Sequence, residues 1–184
     1  MKLGIRDFDS FVKDSLKEQL LERYKSLEIL TEADLQAYAF LSLLEYFRSR
    51  GSAGTRFKVL NKPYFKEVHT YPDIAVFKRE KPWALFELKE RLHLPPRIAQ
   101  KERKKLLTAR RTLALSPKRA YFLYAIPRAG KKVLEGPKGE GARYFFEVPI
   151  VLADVWPSEA IETWERRRKR WAKYRSEQPT AEVG

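Results

Sequence analysis

Cysteine is absent from the 184 residues. Disulfides, thiol nucleophiles and cysteine-ligated zinc are therefore excluded. Histidine is scarce, with only His69 and His93, and neither lies in a local Ser-His-Asp pattern. Methionine and asparagine occur once each, at Met1 and Asn61; with abundant Arg, Glu, Leu and Pro, this resembles thermophile usage. No apolar run approaches the roughly 18 residues that a membrane span needs. The first residues, Met1 to Asp7, contain no apolar signal core. A cytoplasmic chain with no membrane span is expected. Acidic residues are outnumbered, 24 Asp and Glu against 38 Lys and Arg, for a net charge of +14. A folded chain this basic favours a polyanionic partner. Nucleic acid comes first and an anionic membrane surface second; a soluble basic protein without such a partner is the blander reading.

What is present suffices for a core: 43% of residues are hydrophobic. Phe11, Leu16, Leu20, Leu21, Tyr24 and Leu27 recur at near-helical spacing and predict a helix over 8–30. Thr31 is placed to cap a second helix, with Asp34 in the capping-box position and Glu32 near the positive helix end. That helix carries Leu35, Ala39, Leu43 and Phe47 and ends by Gly51 to Gly54. Strands are predicted within 56–70, then at 73–77 and 83–90, with a turn at Arg79 to Pro82. A basic helix follows over 97–115, a strand at 121–126, a Gly- and Lys-rich loop at 130–141, a strand at 144–152 and a last helix from Pro157 to Arg175. The order predicts an α/β domain with a mixed central sheet flanked by helices. Its expected parts are an N-terminal helical extension (1–30), a core (31–152), and a basic C-terminal helix and tail (153–184).

The chemistry concentrates in two strands. Asp73 heads the apolar run Ile74-Ala75-Val76-Phe77, and Glu87-Leu88-Lys89 ends the run from Trp83. Side chains alternate along a strand, so Glu87 and Lys89 share a face. If the two strands pair, Asp73 reaches that face, and two carboxylates and an ammonium converge. Such a group can hold a divalent cation and activate a water beside a phosphodiester. The same residues also fit a solvated ion pair at a strand end.

Pro72-Asp73 and Glu87-Leu88-Lys89 resemble the core motif of the PD-(D/E)XK nuclease superfamily, whose restriction-endonuclease-like fold runs helix, three strands, helix, strand. Residues 31–126 follow that order. Glu32 and Gln36 resemble the Glu-x-x-x-Gln pattern of the family's virus-type replication-repair branch. The resemblance implies a metal-dependent DNA endonuclease acting in repair, recombination, restriction or mobile-element processing. Asp73 and Glu87 would hold one or two Mg²⁺, with Mn²⁺ as substitute. Glu32 would help, with Asp34 as its competitor, and the Leu88 carbonyl would complete the shell. Lys89 would orient or deprotonate the attacking water. The product would be a 5′-phosphate end, and a homodimer would suit cutting both strands. A polar residue on the following helix is also implied, with Gln100, Lys101 and Lys104 as candidates. The alternative is a non-catalytic nucleic-acid-binding subunit with the same fold.

Other candidates are weaker. His69 and His93 each fit a rim or packing position as well as a site position, and Glu67 fits a solvated strand position as well as an added carboxylate. Gln36 also fits a solvated helix position. Gly136 to Gly141 lacks the Gly-Lys-Ser/Thr ending of a phosphate loop, so it reads as a basic loop in which Lys138 touches a backbone. Arg166, Arg167, Arg168, Lys169 and Arg170 interleave with Trp164, Trp171 and Tyr174. The aromatics are read as docking this helix, with the basic face meeting phosphates.

Overall fold

The computed structural model describes residues 4–66, 69, 71–90, 96–112, 118–128 and 144–177, with backbone only at 96, 98, 99, 112, 168, 169 and 171–177. The chain opens with α1 (Ile5–Ser10), a π-helical stretch (Phe11–Leu16) and α2 (Lys17–Lys25). Phe8, Val12, Leu16, Leu20 and Tyr24 are all buried. Their spacing is four throughout. In an ideal α-helix each such step drifts about 40° around the axis. The wider π turns take back much of that drift and keep one face on the core. The helix begins before the predicted Phe8 and ends before Leu30, because Leu27 adopts a left-handed φ of 59°. Leu27 N–H donates to the Tyr24 carbonyl and Glu28 N–H to the Arg23 carbonyl, the pairing that closes a helix C-terminus. Leu27, expected on the buried stripe, is 57% exposed.

α3 (Glu32–Arg48) starts as predicted. Thr31 Oγ1 accepts from Asp34 N–H, and Asp34 Oδ2 accepts from Thr31 N–H at 2.8 Å. A 3₁₀ segment (Gly51–Arg56) follows. Gly54 is held so close to α3 that a Cβ there would fall 1.8 Å from the Phe47 carbonyl oxygen; only glycine allows this approach.

Five strands form one sheet: β1 (Phe57–Asn61), β2 (Ile74–Lys78), β3 (Lys81–Glu90), β4 (Arg119–Ile126) and β5 (Phe145–Val151), in sequential order. β1, β2 and β3 are antiparallel neighbours, while β3, β4 and β5 run parallel. β2 and β3 meet through Arg79 and Glu80, both at positive φ, the geometry of a two-residue hairpin. β3 and β4 are parallel, so the chain crosses over through α4 (Pro96–Thr112). α5 (Ser158–Glu177) closes the described chain. The mixed α/β sheet flanked by helices matches the expected element order.

Two apolar clusters sandwich the sheet. One joins Ile74, Phe86, Leu88, Tyr121 and Leu123 to α1, α2, α3 and, through Ile161 and Trp164, to α5. The other joins Ala75, Leu85, Phe122 and Tyr124 to Leu106 and Ala109 of α4. Asp9 pins α1 to β4: it accepts from Arg119 Nε at 2.9 Å and from the Tyr121 hydroxyl at 2.6 Å. Among the described residues no helix is long and apolar enough to cross a membrane.

The left-handed Leu27 yields a stability prediction. A side chain in that region costs roughly 1–2 kcal/mol, against roughly 0.5–1 kcal/mol for the extra unfolded freedom of glycine. Leu27→Gly should therefore stabilise the protein by about 0.5–1 kcal/mol. The check is the midpoint of urea unfolding at unchanged m-value.

Candidate active site

The register of β2 and β3 assembles the site. Ile74 pairs with Phe86, so one further step sets Asp73 opposite Glu87. Alternation turns Asp73, Glu87 and Lys89 to the sheet face that α4 covers. The expected convergence is present. Lys89 Nζ lies 3.1 Å from Glu87 Oε1 and 3.9 Å from Asp73 Oδ2. The Glu87 side chain is only 2% exposed and that of Asp73 14%.

Each group is fixed by its surroundings. The Asp73 carboxylate accepts the Leu88 N–H at 2.8 Å. The Asp73 carbonyl accepts the Lys62 N–H at 2.9 Å and Gln36 Nε2 at 3.1 Å. Gln36 also donates to Asn61 Oδ1. It is 8% exposed, so the solvated position considered above is replaced by a buried clamp from α3 onto β1 and the residue that heads β2. Of the two acids at the start of α3, the cap consumes Asp34. Glu32 instead accepts from Lys89 Nζ at 3.1 Å and from Glu90 N–H at 3.4 Å.

The polar partner from α4 is none of Gln100, Lys101 and Lys104, which are exposed. It is Lys105, whose Nζ donates to Glu87 Oε2 at 2.7 Å, with Glu102 3.8 Å away. Glu102, Lys105, Leu106 and Ala109 fall at i, i+3, i+4 and i+7, one stripe of a helix. That stripe was the available signal, and its two charged members hid it. Beside it, Arg103 of α4 donates to both oxygens of Glu147 on β5, and the Tyr124 hydroxyl donates to the same carboxylate.

The electrostatics are those of carboxylates in short supply of solvent. Burial pushes Asp73 above its usual value and the neighbouring Glu87 charge adds to this, against the Leu88 N–H, Lys89 and Lys105. Burial likewise raises Glu87, against Lys105 and Lys89. Burial alone would lower Lys89, but the charges of Glu87, Asp73 and Glu32 outweigh it and hold the ammonium well above its ordinary value.

Other predicted residues lie elsewhere. His69 is exposed, with Nδ1 3.1 Å from the Tyr64 hydroxyl. Trp164 docks α5 against Trp156, their rings 5.8 Å apart. Arg166, Arg167 and Arg170 are exposed on that helix. The side chains of Arg168, Lys169, Trp171 and Tyr174 lie outside the described residues, as do Glu67, His93, Lys138 and the loop 130–141.

Among the described residues, no group of three or more His, Cys, Asp or Glu side chains is arranged to hold a metal. Glu32 faces Lys89 rather than closing on the other two acids. The donor set nonetheless fits a hard cation of the Mg²⁺ type. Such an ion takes one or two carboxylates and fills its shell with water and phosphate oxygens, and half-buried Asp73 and buried Glu87 face each other across the strand pair as oxygen-only donors. Compared with family models, with curated proteins and with solved structures, the chain finds no match.

Two desolvated carboxylates side by side destabilise the fold that holds them. Asp73→Asn removes one charge yet keeps an oxygen for the Leu88 N–H. In EDTA this variant should melt at a higher temperature than the wild type. Differential scanning fluorimetry checks it, and an unchanged or lower melting temperature would contradict the charge crowding described.

Proposed function

We propose that the chain is a metal-dependent nuclease of the PD-(D/E)XK type, with a restriction-endonuclease-like fold, that hydrolyses phosphodiester bonds in DNA. One observation carries this reading. Asp73 and Glu87 sit side by side at the end of a sheet, with the ammonium of Lys89 in contact with both. Both acids stay above their usual values even with Lys89 and Lys105 beside them, and a metal cation bound to both would relieve that. The helix, three strands, helix, strand order around them supports the same reading, as does the net charge of +14.

Asp73 and Glu87 would hold a Mg²⁺ or Mn²⁺ ion, with the Leu88 carbonyl as a further oxygen; when bound, the ion supplies charge for the phosphate and acidity for a water. Leu88 N–H and Gln36 keep Asp73 aimed at its neighbour. Lys105 holds the second oxygen of Glu87, so the two carboxylates stay in one orientation. Lys89, ringed by three carboxylates, is an ammonium and so a donor. We assign it to orienting the water and neutralising charge on the phosphate rather than to taking a proton. Glu32 holds Lys89 in place from the start of α3. Lys101 and Lys104 on the exposed face of α4, and Arg166, Arg167 and Arg170 on α5, are assigned to the DNA backbone, which they would bind without reading sequence.

The test is cleavage of linear, nicked, branched and single-stranded DNA by the purified protein. Mg²⁺ or Mn²⁺ should support cutting; Ca²⁺ and excess EDTA should not. Asp73→Ala or Glu87→Ala should lower the rate by at least 10³-fold, on the order of 4 kcal/mol, with DNA affinity equal or higher because a carboxylate no longer repels phosphate. Cutting by both variants at the wild-type rate would refute the assignment. Binding without any cutting would leave a non-catalytic nucleic-acid-binding subunit.

A further inference from the structure

At the opposite end of the sheet from the carboxylates lies a cavity of about 930 Å³. It opens where β1, β3 and β4 begin and β2 ends. Arg56, Lys78, Arg79, Lys81 and Lys118 line it, and no acidic residue does. They come from the 3₁₀ segment, β2, the hairpin, β3 and the lead into β4. All but Lys78 are exposed. Six cations elsewhere among the described residues, Arg23, Lys25, Lys89, Arg103, Lys105 and Arg119, have carboxylate partners. Among the described residues none of the five cavity cations does. Lys78 instead lies over the Phe57 ring, which meets Trp83 at 4.9 Å.

Five cations line one concavity with no carboxylate among its lining residues, the nearest in sequence being Glu80 between Arg79 and Lys81. That arrangement favours an anion from outside. Their spread over five segments suits several phosphates in succession better than one phosphate at a focus. The cavity is also remote from the candidate active site. Six steps along β3 lead from Lys81 to Glu87, about 20 Å of strand, and α3 spans the two ends with 17 residues, about 25 Å of helix.

We propose that this end of the sheet is a second phosphate-binding surface that grips a nucleic-acid backbone away from the carboxylates. Its residues share nothing with the carboxylate cluster, so it does not rest on the nuclease reading. The phosphates come from a nucleic acid rather than from a small phosphorylated ligand, and the experiment separates the two.

The experiment is fluorescence anisotropy on two unrelated DNA duplexes over a salt series, in EDTA so that no cleavage intervenes. Arg56→Gln, Lys81→Gln and Lys118→Gln are combined in one full-length variant. All three side chains are exposed, and circular dichroism verifies the fold. Each lost phosphate contact flattens the log-log salt slope by about 0.9, so the variant should lose two to three units and weaken equally on both duplexes. A control that replaces Lys13, Lys17 and Lys25 by Gln changes net charge by the same amount and should leave the slope nearly intact. An unchanged slope in the cavity variant overturns the proposal, and so does an equal loss in the control, which would reduce the effect to net charge. Inorganic phosphate and AMP supply the other arm. If either raises the melting temperature of the wild type but not of the variant, while duplex binding is unaffected, the cavity belongs to a small phosphorylated ligand and the proposal falls. A wild type that cuts nothing but loses its salt slope through this variant would sink the nuclease reading and leave this surface standing.

Discussion

Two carboxylates, Glu87 buried on β3 and Asp73 half-buried at the head of β2, set the terms for everything around them. Both lose solvent, and the Glu87 charge further raises Asp73. Three kinds of neighbour offset the repulsion. Lys89 and Lys105 bring charge from the same strand and from α4, and the Leu88 N–H brings a main-chain dipole. Both acids remain raised despite this help, so the offset is incomplete. The fold must then hold the pair by means unrelated to charge. Gln36 and the Lys62 N–H hold the Asp73 carbonyl, the Leu88 N–H holds its carboxylate, and the strand pairing keeps it opposite Glu87.

The layer containing α1, α2, α3 and α5 carries that load. It gathers the larger share of the buried aromatics, with Phe8 packed against Phe47, Trp83, Phe86 and Tyr121. Aromatic contacts of this kind are worth about 0.5–1.5 kcal/mol each beyond the area they bury. Asp9 adds a directional lock, since its carboxylate accepts from both Arg119 and Tyr121. The strain of the charged cluster is thus opposed from the far side of the sheet, from which only Glu32, at the start of α3, reaches the site.

Much of this was legible in the residues themselves. Thr31 and Asp34 announced the start of α3 through their spacing, and the capping box is present. Asp73 and the Glu87-Leu88-Lys89 segment announced their convergence, since strand alternation is strictly local. What could not be read depended on long-range placement. Gln36 looks like any polar helix residue until Asn61 and the Asp73 carbonyl arrive from 25 and 37 residues away. Lys105 was overshadowed by Lys101 and Lys104 because a basic helix offers many lysines and only the sheet decides which is turned inward. The end of α2 was misplaced because it is closed by Leu27 in a conformation that usually signals glycine. The cationic cavity escaped for the plainest reason: its five residues are scattered from position 56 to position 118, and no periodicity links them.

The two faces of the sheet are unequally anchored. Among the described side chains of α4, Leu106 and Ala109 are buried and apolar and Leu107 packs beside them; the other ties are polar, from Lys105 to Glu87, from Arg103 to Glu147 and from the Arg110 guanidinium to the Tyr144 ring. A helix with few buried apolar side chains detaches at lower free energy than one held by packed rings. Its amides would therefore exchange with solvent well before those of β3 and β4, and faster as ionic strength rises. In that partly opened state the sheet and its aromatic layer stay intact while the carboxylates lose their roof. A large polyanion, too bulky to slip beneath a fixed helix, would itself lower the free energy of that opening by competing for the lysine and arginine that hold it shut.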